Sequence, residues 1–430
     1  MMKKNLTKRE IFVCAHWEGM TEPILMGTLH SELLRGKEVF SFGYEESWIK
    51  SKYAQVLDPD LELYAGLHYL HDNKPNFGLF LDSSPDRWGR ILMRRRESAL
   101  ARFEQRSEQT LFETDYLLGV YDGHRMGALR FKLDIGGHFF NDNRQMATPP
   151  WTSIRELEEI SLRLEEDDVV NDPQYLNWLS MLVAPGSSLG GARPKASVLD
   201  SDKQLWIAKF PSRTDNTDIG GWEAATSELA KAVGINMADC QARKFSSKHH
   251  TFLTKRFDRN RSGERIHFAS AMTLLGYNDG QDHNDGVSYL DLVDFITSNG
   301  ANVDPNLEQL WRRIVFSICV SNTDDHLRNH GFILTPRGWI LSPAYDINPV
   351  ETGSGLSLNI SENDNSLNLL LALSVRDYFR LSKERAIEII KEVSSMVINW
   401  RMVAKKYGIS NTEMDRKKNA FARAIILPII

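Results

Sequence analysis

The segment Ser321–Gly331 reads Ser-Asn-Thr-Asp-Asp-His-Leu-Arg-Asn-His-Gly and gathers two carboxylates, two imidazoles and two amides into eleven residues. A further acid, Asp346, stands downstream in Leu341-Ser342-Pro343-Ala344-Tyr345-Asp346-Ile347-Asn348-Pro349, between apolar neighbours and a proline. Phosphoryl transfer needs metal-bridged phosphates, oxygen ligands for the metal and a carboxylate that orients the attacking hydroxyl, and little covalent help. In that chemistry Asp324 takes the hydroxyl while Asn329 and Asp346 hold Mg²⁺. Two other readings compete. Asp324 and Asp325 suit the cap of a helix beginning near His326. His326 and His330, at i and i+4, suit a metal site, although Leu327 stands where the zinc motif H-E-x-x-H has its Glu.

The elements around these residues are legible as patterns. The apolar run Ile314–Val320 predicts the end of a buried helix that delivers the loop. Phe332–Leu334 and Trp339–Leu341 flank Thr335-Pro336-Arg337-Gly338, a hairpin with turn chemistry at its tip. Further upstream, Ala184–Ala196 is a small-residue loop whose glycines, Gly190 and Gly191 among them, would let backbone amides approach a phosphate, with Lys195 adding charge, or else a plain surface loop. It is not a Walker A loop. The strand Leu205–Pro211 puts Lys209 on the same side as Leu205 and Ile207, where a lysine calls for an anionic partner. The helix Trp222–Val233 offers Glu223 or Glu228 for that purpose. The strand Thr251–Phe257, with Lys255, Arg256 and Phe257 at its end, would be a connector against adenine.

Composition limits the alternatives. The chain has 430 residues, enough for two or three domains, with 42% hydrophobic and 25% charged residues, as in ordinary globular proteins. A net charge of -5 excludes a global cationic field for nucleic acid. Cys14, Cys240 and Cys319 are odd in number and widely spaced, which fits a reducing cytoplasm. No apolar run suits a signal peptide or a membrane span. Residues 8 to about 60 read as strands and turns and Ile91–Arg106 as a helix, and Arg87, Arg90, Arg94, Arg95 and Arg96 form the densest basic group, a solvated helix face in preference to a phosphate-facing or partner-facing patch. Tyr116–Leu133 reads as a hairpin turning at Asp122-Gly123, and 136–151 as a linker. Helices are expected at Ile154–Glu165, Pro173–Val183, Asp291–Ser298, Leu307–Cys319, Leu367–Phe379, Glu384–Met402 and Glu413–Leu427. The expected fold is α+β, bilobal and protein-kinase-like. It comprises a β-rich N-terminal subdomain (1–145), a nucleotide-binding lobe (146–262) and a helical catalytic C-terminal lobe (263–430).

Together, Ser188-Leu189-Gly190-Gly191-Ala192-Arg193-Pro194-Lys195-Ala196, Ile207-Ala208-Lys209-Phe210-Pro211, Asn322–Asn329 and Pro343-Ala344-Tyr345-Asp346 resemble the HipA family of toxin kinases. So do Ser84–Arg90 and Arg125–Arg130, which extends the likeness over residues 10–400. The resemblance implies a serine/threonine kinase of a type II toxin–antitoxin module, using ATP and Mg²⁺. It makes Asp324 the proton-accepting catalytic Asp, Asn329 and Asp346 the metal ligands, and Lys209 the phosphate lysine with Glu223 as partner. Gly190–Lys195, Lys255–Phe257, His326 and Tyr345 would line the nucleotide. It implies autophosphorylation of the loop at Ser188 or its neighbour Ser187. The implied partners are a helix-turn-helix HipB-like antitoxin, through which DNA is met indirectly, and a cytoplasmic protein substrate such as an aminoacyl-tRNA synthetase. Two rivals remain, a small-molecule phosphotransferase of the same fold and a catalytically idle antitoxin-binding co-repressor.

Overall fold

The computed structural model describes residues 8–70, 74–142, 149–183, 191 and 193–424. The chain forms two compact units, Met1–Ile207 with Asp258–Ala269 and Ala208–Phe257 with Ser270–Ile430.

The first unit is built on an antiparallel sheet of five strands, β1 (Lys8–Ala15), β2 (Ile24–Leu34), β3 (Lys37–Tyr44), β4 (Leu67–Tyr69) and β5 (Leu129–Lys132), in the order β4-β3-β2-β1-β5. The two-residue turn between β2 and β3 is Arg35-Gly36, with φ of 52° and 82°, the left-handed pair that matches the twist of a hairpin. Alternation sends Phe40, Phe42 and Tyr44 of β3 inward, and the register sets Ile11 opposite Leu29 and Leu29 opposite Phe42. The short helices α1 (Glu46–Ile49) and α2 (Gly78–Asp82) lie on this unit. Phe80 of α2 meets Phe42 and Phe131 at ring-centroid distances of 5.6 and 6.1 Å.

Helix α3 (Arg87–Phe103) starts where Asp86 accepts the amide of Gly89 at 2.9 Å. Its arginines are only partly a solvated face. Arg90 forms a two-pronged pair with Glu113 at 2.6 and 2.7 Å, and Arg95 donates to the Leu164 carbonyl. The hairpin expected over Tyr116–Leu133 is absent. The chain forms α4 (Glu113–Gly119) and a turn at Asp122–His124 before β5, which pairs with β1. The buried Arg125 supplies the reason. Its guanidinium donates to the carbonyls of Ser83, Leu117 and Val120 and lies 4.5 Å over the Phe131 ring. Carbonyls at a helix end are thereby satisfied without a strand ladder. Helices α5 (Ile154–Arg163) and α6 (Tyr175–Val183) follow, then β6 (Lys195–Leu199) and β7 (Leu205–Lys209), on which the chain passes into the second unit.

The second unit contains α7 (Ile219–Ala232), β8 (Cys240–Arg243) and β9 (Thr251–Lys255). After β10 (Phe268–Ser270) come α8 (Ala271–Leu274), α9 (Tyr289–Asn299) and α10 (Val303–Val320). The expected hairpin is present as β11 (Gly331–Thr335) and β12 (Gly338–Leu341). Helix α10 is buried on every side from Leu310 to Val320, and its last two turns, Ile314–Val320, are apolar except for Ser317. Then come α11 (Leu369–Ser374), α12 (Lys383–Val397), α13 (Trp400–Lys406) and α14 (Asn411–Lys417). The single helix expected over Glu384–Met402 is thus two. The break at Ile398-Asn399 leaves Ile398 exposed and turns Trp400 inward, where it stacks on Phe421 at 4.3 Å.

In the first unit burial pushes the His267 imidazole down to about 3 from 6.5. As pH falls below 6.5 the unfolded chain takes up a proton that the folded chain refuses, so stability is lost in that window. At about pH 5 the loss is about 2 kcal/mol. Urea unfolding of His267→Gln should therefore fall less between pH 7 and pH 5 than that of the parent, and an unchanged slope would refute the assignment.

Candidate active site

Helix α10 ends abruptly. Ser321 adopts the left-handed region at φ 51°, its hydroxyl donates to the Ala420 carbonyl, and the amide of Asn322 turns back to the Ser317 carbonyl. The loop that follows separates two adjacent acids. Asp325 points inward, accepting a hydrogen bond from the Tyr289 hydroxyl at 2.6 Å and lying 3.0 Å from His330 Nε2. Burial alone would raise its carboxyl, but His330 and Tyr289 hold it below the usual carboxylate range. Asp324 points outward and is exposed. Its carboxyl is raised, first by partial desolvation and then by the charges of Asp346 and Asp325, against the pull of His326. Asp324 and Asp346 therefore share one electrostatic site.

Lys209, at the end of β7, lies 2.7 Å from Glu223 Oε1 and 2.7 Å from Asp346 Oδ1. Desolvation opposes the ammonium charge, but the two carboxylates outweigh it and the Lys209 pKa rises. Glu228, the other candidate on α7, faces Lys406 and Tyr407 instead. Asp346 is held at φ 57°, a strained region for a residue with a side chain. The flanking backbone is pinned on both sides. The Ala344 amide donates to the Asn236 carbonyl, the Asn348 amide to Asn322 Oδ1 and the Val350 amide to the Ser321 carbonyl. From within α10, the buried Arg313 donates to the Ser342 carbonyl at 2.7 Å.

The other expected residues are placed as follows. Phe257 and Tyr345 face each other at 5.7 Å, and the Tyr345 hydroxyl donates to the Arg328 carbonyl. Lys255 closes β9, with its amide on the Asp239 carbonyl, and Arg256 is buried. Gly191, Arg193, Pro194 and Lys195 belong to the first unit. Lys195 is a correction. Expected to lend its charge to a phosphate, it is buried in an ion pair with Asp86 at 2.7 Å, their side chains 3% and 2% exposed. Ser187, Ser188, Gly190 and Ala192 lie outside the described residues.

Residues 187–400 match the family model of the HipA-like C-terminal domain. The chain is 26% identical over 270 residues to the serine/threonine-protein kinase toxin HipA of Shewanella oneidensis, covering 55% of this chain and 60% of that protein. It is 26% identical over 179 residues to an inferred kinase of Haemophilus influenzae, covering 37% and 52%. The chain thus spans somewhat over half the length of these curated relatives. Its fold matches a chain in the solved complex of the Shewanella oneidensis toxin–antitoxin system HipA and HipB with operator DNA, with a TM-score of 0.64, 18% identity and 96% of each chain covered. The chain belongs to the HipA family. The fold is the α+β, kinase-like one expected.

In this HipA-family chain the residues present fit a hard cation. Asn329 donates its Nδ2 to the Asp324 carbonyl at 2.8 Å, which leaves its buried Oδ1 with no hydrogen-bond partner, and the Oδ1 of Asn348 is likewise unpartnered. With the carboxylates of Asp324 and Asp346 the donors are all oxygens, the set magnesium prefers. The imidazole alternative does not fit. His326 and His330 share no helix face, because a single 3₁₀ turn (Leu327–Asn329) leads straight into β11. Among the described residues no group of three His, Cys, Asp or Glu could hold a metal.

Sequence reasoning assigned no role to Asn348, Tyr289, Asn322 or Arg313. Asn348 carried a signal, being two residues beyond Asp346, whereas Tyr289 meets Asp325 across 36 positions and carried none. Tyr289→Phe keeps the ring and removes only the bond to Asp325. Loss of a hydrogen bond to a charged partner should lower stability by about 1.5–3 kcal/mol. Urea denaturation measures this, and an unchanged midpoint would mean that Asp325 does not depend on that hydroxyl.

Proposed function

We propose that the chain is an ATP- and Mg²⁺-dependent protein serine/threonine kinase acting as the toxin of a toxin–antitoxin pair. The observation that supports it most is the half-buried Lys209, joined at 2.7 Å to both Glu223 and Asp346. A strand lysine paired with a helix glutamate is what a kinase must have in place to act on nucleotide phosphates. Bound Mg²⁺–ATP would supply the transferable phosphoryl group and a cation that offsets its charge. Asn329 and Asp346 would hold that cation, with Lys209 meeting the phosphates. Phe257 and Tyr345 would line the adenine, together with Lys255, Arg256 and His326. Asp324 accepts the proton of the serine or threonine hydroxyl as its oxygen bonds to the γ-phosphorus and the bond to the ADP oxygen breaks. Its raised pKa makes Asp324 a better proton acceptor than an ordinary carboxylate.

The protein target is cytoplasmic, such as an aminoacyl-tRNA synthetase, and the loop serine Ser187 or Ser188 is a second acceptor that inactivates the enzyme. The antitoxin is a helix-turn-helix protein through which the acidic chain reaches DNA, and the solved Shewanella complex of HipA, HipB and operator DNA supports such an assembly. No described helix is long and apolar enough to cross a membrane, and Cys14, Cys240 and Cys319 are free thiols; both support the cytoplasmic assignment.

Incubation of the purified protein with labelled ATP and Mg²⁺, followed by mapping of the label, tests this reading. Label should appear at Ser187 or Ser188, and Asp324→Asn should cut incorporation by at least about 10²-fold. Equal labelling of the variant would sink the assignment of Asp324. Transfer to small molecules with no protein phosphosite would favour a small-molecule phosphotransferase. Growth arrest that survives Asp324→Asn would favour the idle co-repressor.

A further inference from the structure

Helix α7 carries Glu223, yet nothing in the site chemistry above holds α7 itself. The carboxyl-terminal segment does. Glu413 of α14 accepts, through a single oxygen, the backbone amide of Asp218 at 2.7 Å and the indole N–H of Trp222 at 2.8 Å. Asp218 is the cap of α7, and Trp222 immediately precedes Glu223. The indole is 2% exposed and packs on Trp400 and Phe421, each at 5.9 Å. Farther along α7, Glu228 meets Lys406 and Tyr407, from the same carboxyl-terminal segment.

That segment also reaches the other elements of the site. Ser321, which starts the Asp324 loop, donates to the Ala420 carbonyl and accepts from Arg423 at 3.0 Å. Lys417 donates to the carbonyl of Pro349, three residues beyond Asp346, at 3.0 Å. One strap of chain thus touches the helix of Glu223, the start of the Asp324 loop and the stretch behind Asp346.

We infer that the segment Trp400–Ala424 is the positioning element of the phosphotransfer site, and that Glu413 is the residue through which it sets α7 and so the Glu223–Lys209 pair. The inference rests on the kinase reading. Placement of the helix that carries the glutamate controls whether such a pair forms. Glu223 meets Lys209 at direct-contact distance, 2.7 Å, so a small rotation of α7 that swings its carboxylate sideways breaks the pair. Glu413 is a positioning residue, since it meets no reacting atom.

The test uses the full-length protein. Glu413→Ala should lower kcat by about tenfold with little change in KM for ATP, as expected when a hydrogen bond that orients a catalytic pair is lost. Glu413→Gln keeps an oxygen acceptor for both donors and should restore most of the rate. In a Glu223→Gln background, Glu413→Ala should add nothing, because its effect passes through Glu223. Equal falls in both backgrounds, or no fall in the parent, would overturn the inference. Should Glu413→Ala not fold, Glu413→Asp, whose shorter side chain draws the carboxylate back from both donors, is read the same way. A parent protein that transfers no phosphoryl group would defeat the kinase reading, and hydrogen exchange then decides the positioning claim by itself. Faster exchange over residues 218–224 in Glu413→Ala supports it, and unchanged exchange overturns it.

Discussion

The site depends on one ammonium group held between two carboxylates. Lys209 comes from a strand, Glu223 from a helix and Asp346 from the segment after a hairpin, and they converge at 2.7 Å on Nζ. Glu223 is 4% exposed at the side chain, so the lysine stands in for the water that its carboxylate gives up on burial. Breaking a buried pair by removing one partner costs roughly 3–5 kcal/mol, because the remaining charge has lost its water. The triad therefore constrains the backbone around it. Asp346 is kept at φ 57° by an asparagine on each side of the crossing, Asn322 and Asn348.

The two neighbouring aspartates show how environment divides identical chemistry. Asp325 is surrounded by Tyr289, His330 and Ser317, which hold its charge inside the protein. That anchor leaves Asp324 no room inside, and the turn presents it outward towards the field of Asp346. One carboxyl is lowered and the next is raised. Environments that push the pKa values of two acids apart are the general way that a fold assigns them different roles.

What could be read in the sequence was local. The alternation of β3, the apolar run of α10 and the turn chemistry at Thr335–Gly338 each lie within a few residues, and each gave an element of the expected kind. The choice between Glu223 and Glu228 was narrower. Five residues apart, they point about 140° away from each other on a helix, so only one can meet Lys209. The misses came from contacts between distant residues. Arg125 reorganises the stretch expected as a hairpin by donating to Ser83, 42 positions away. Lys195 is neutralised by Asp86, 109 positions away, which no reading of its own loop reveals.

The amide of Asn329 follows from the same kind of reasoning. An amide side chain has two ends of different chemistry, and its orientation is fixed by what it bonds. The carbonyl of Asp324 can only accept, so it selects the Nδ2 end of Asn329 at 2.8 Å. The oxygen is then forced to face the other way, buried and without a protein partner. Leaving such an acceptor unsatisfied costs about 1–3 kcal/mol, and a folded chain retains that cost where something else completes the group. A divalent cation placed against Asn329 and Asp346 would complete it. The bond that links the amide to the Asp324 backbone thus fixes the Asn329 oxygen and the turn that carries the Asp324 carboxylate in one step.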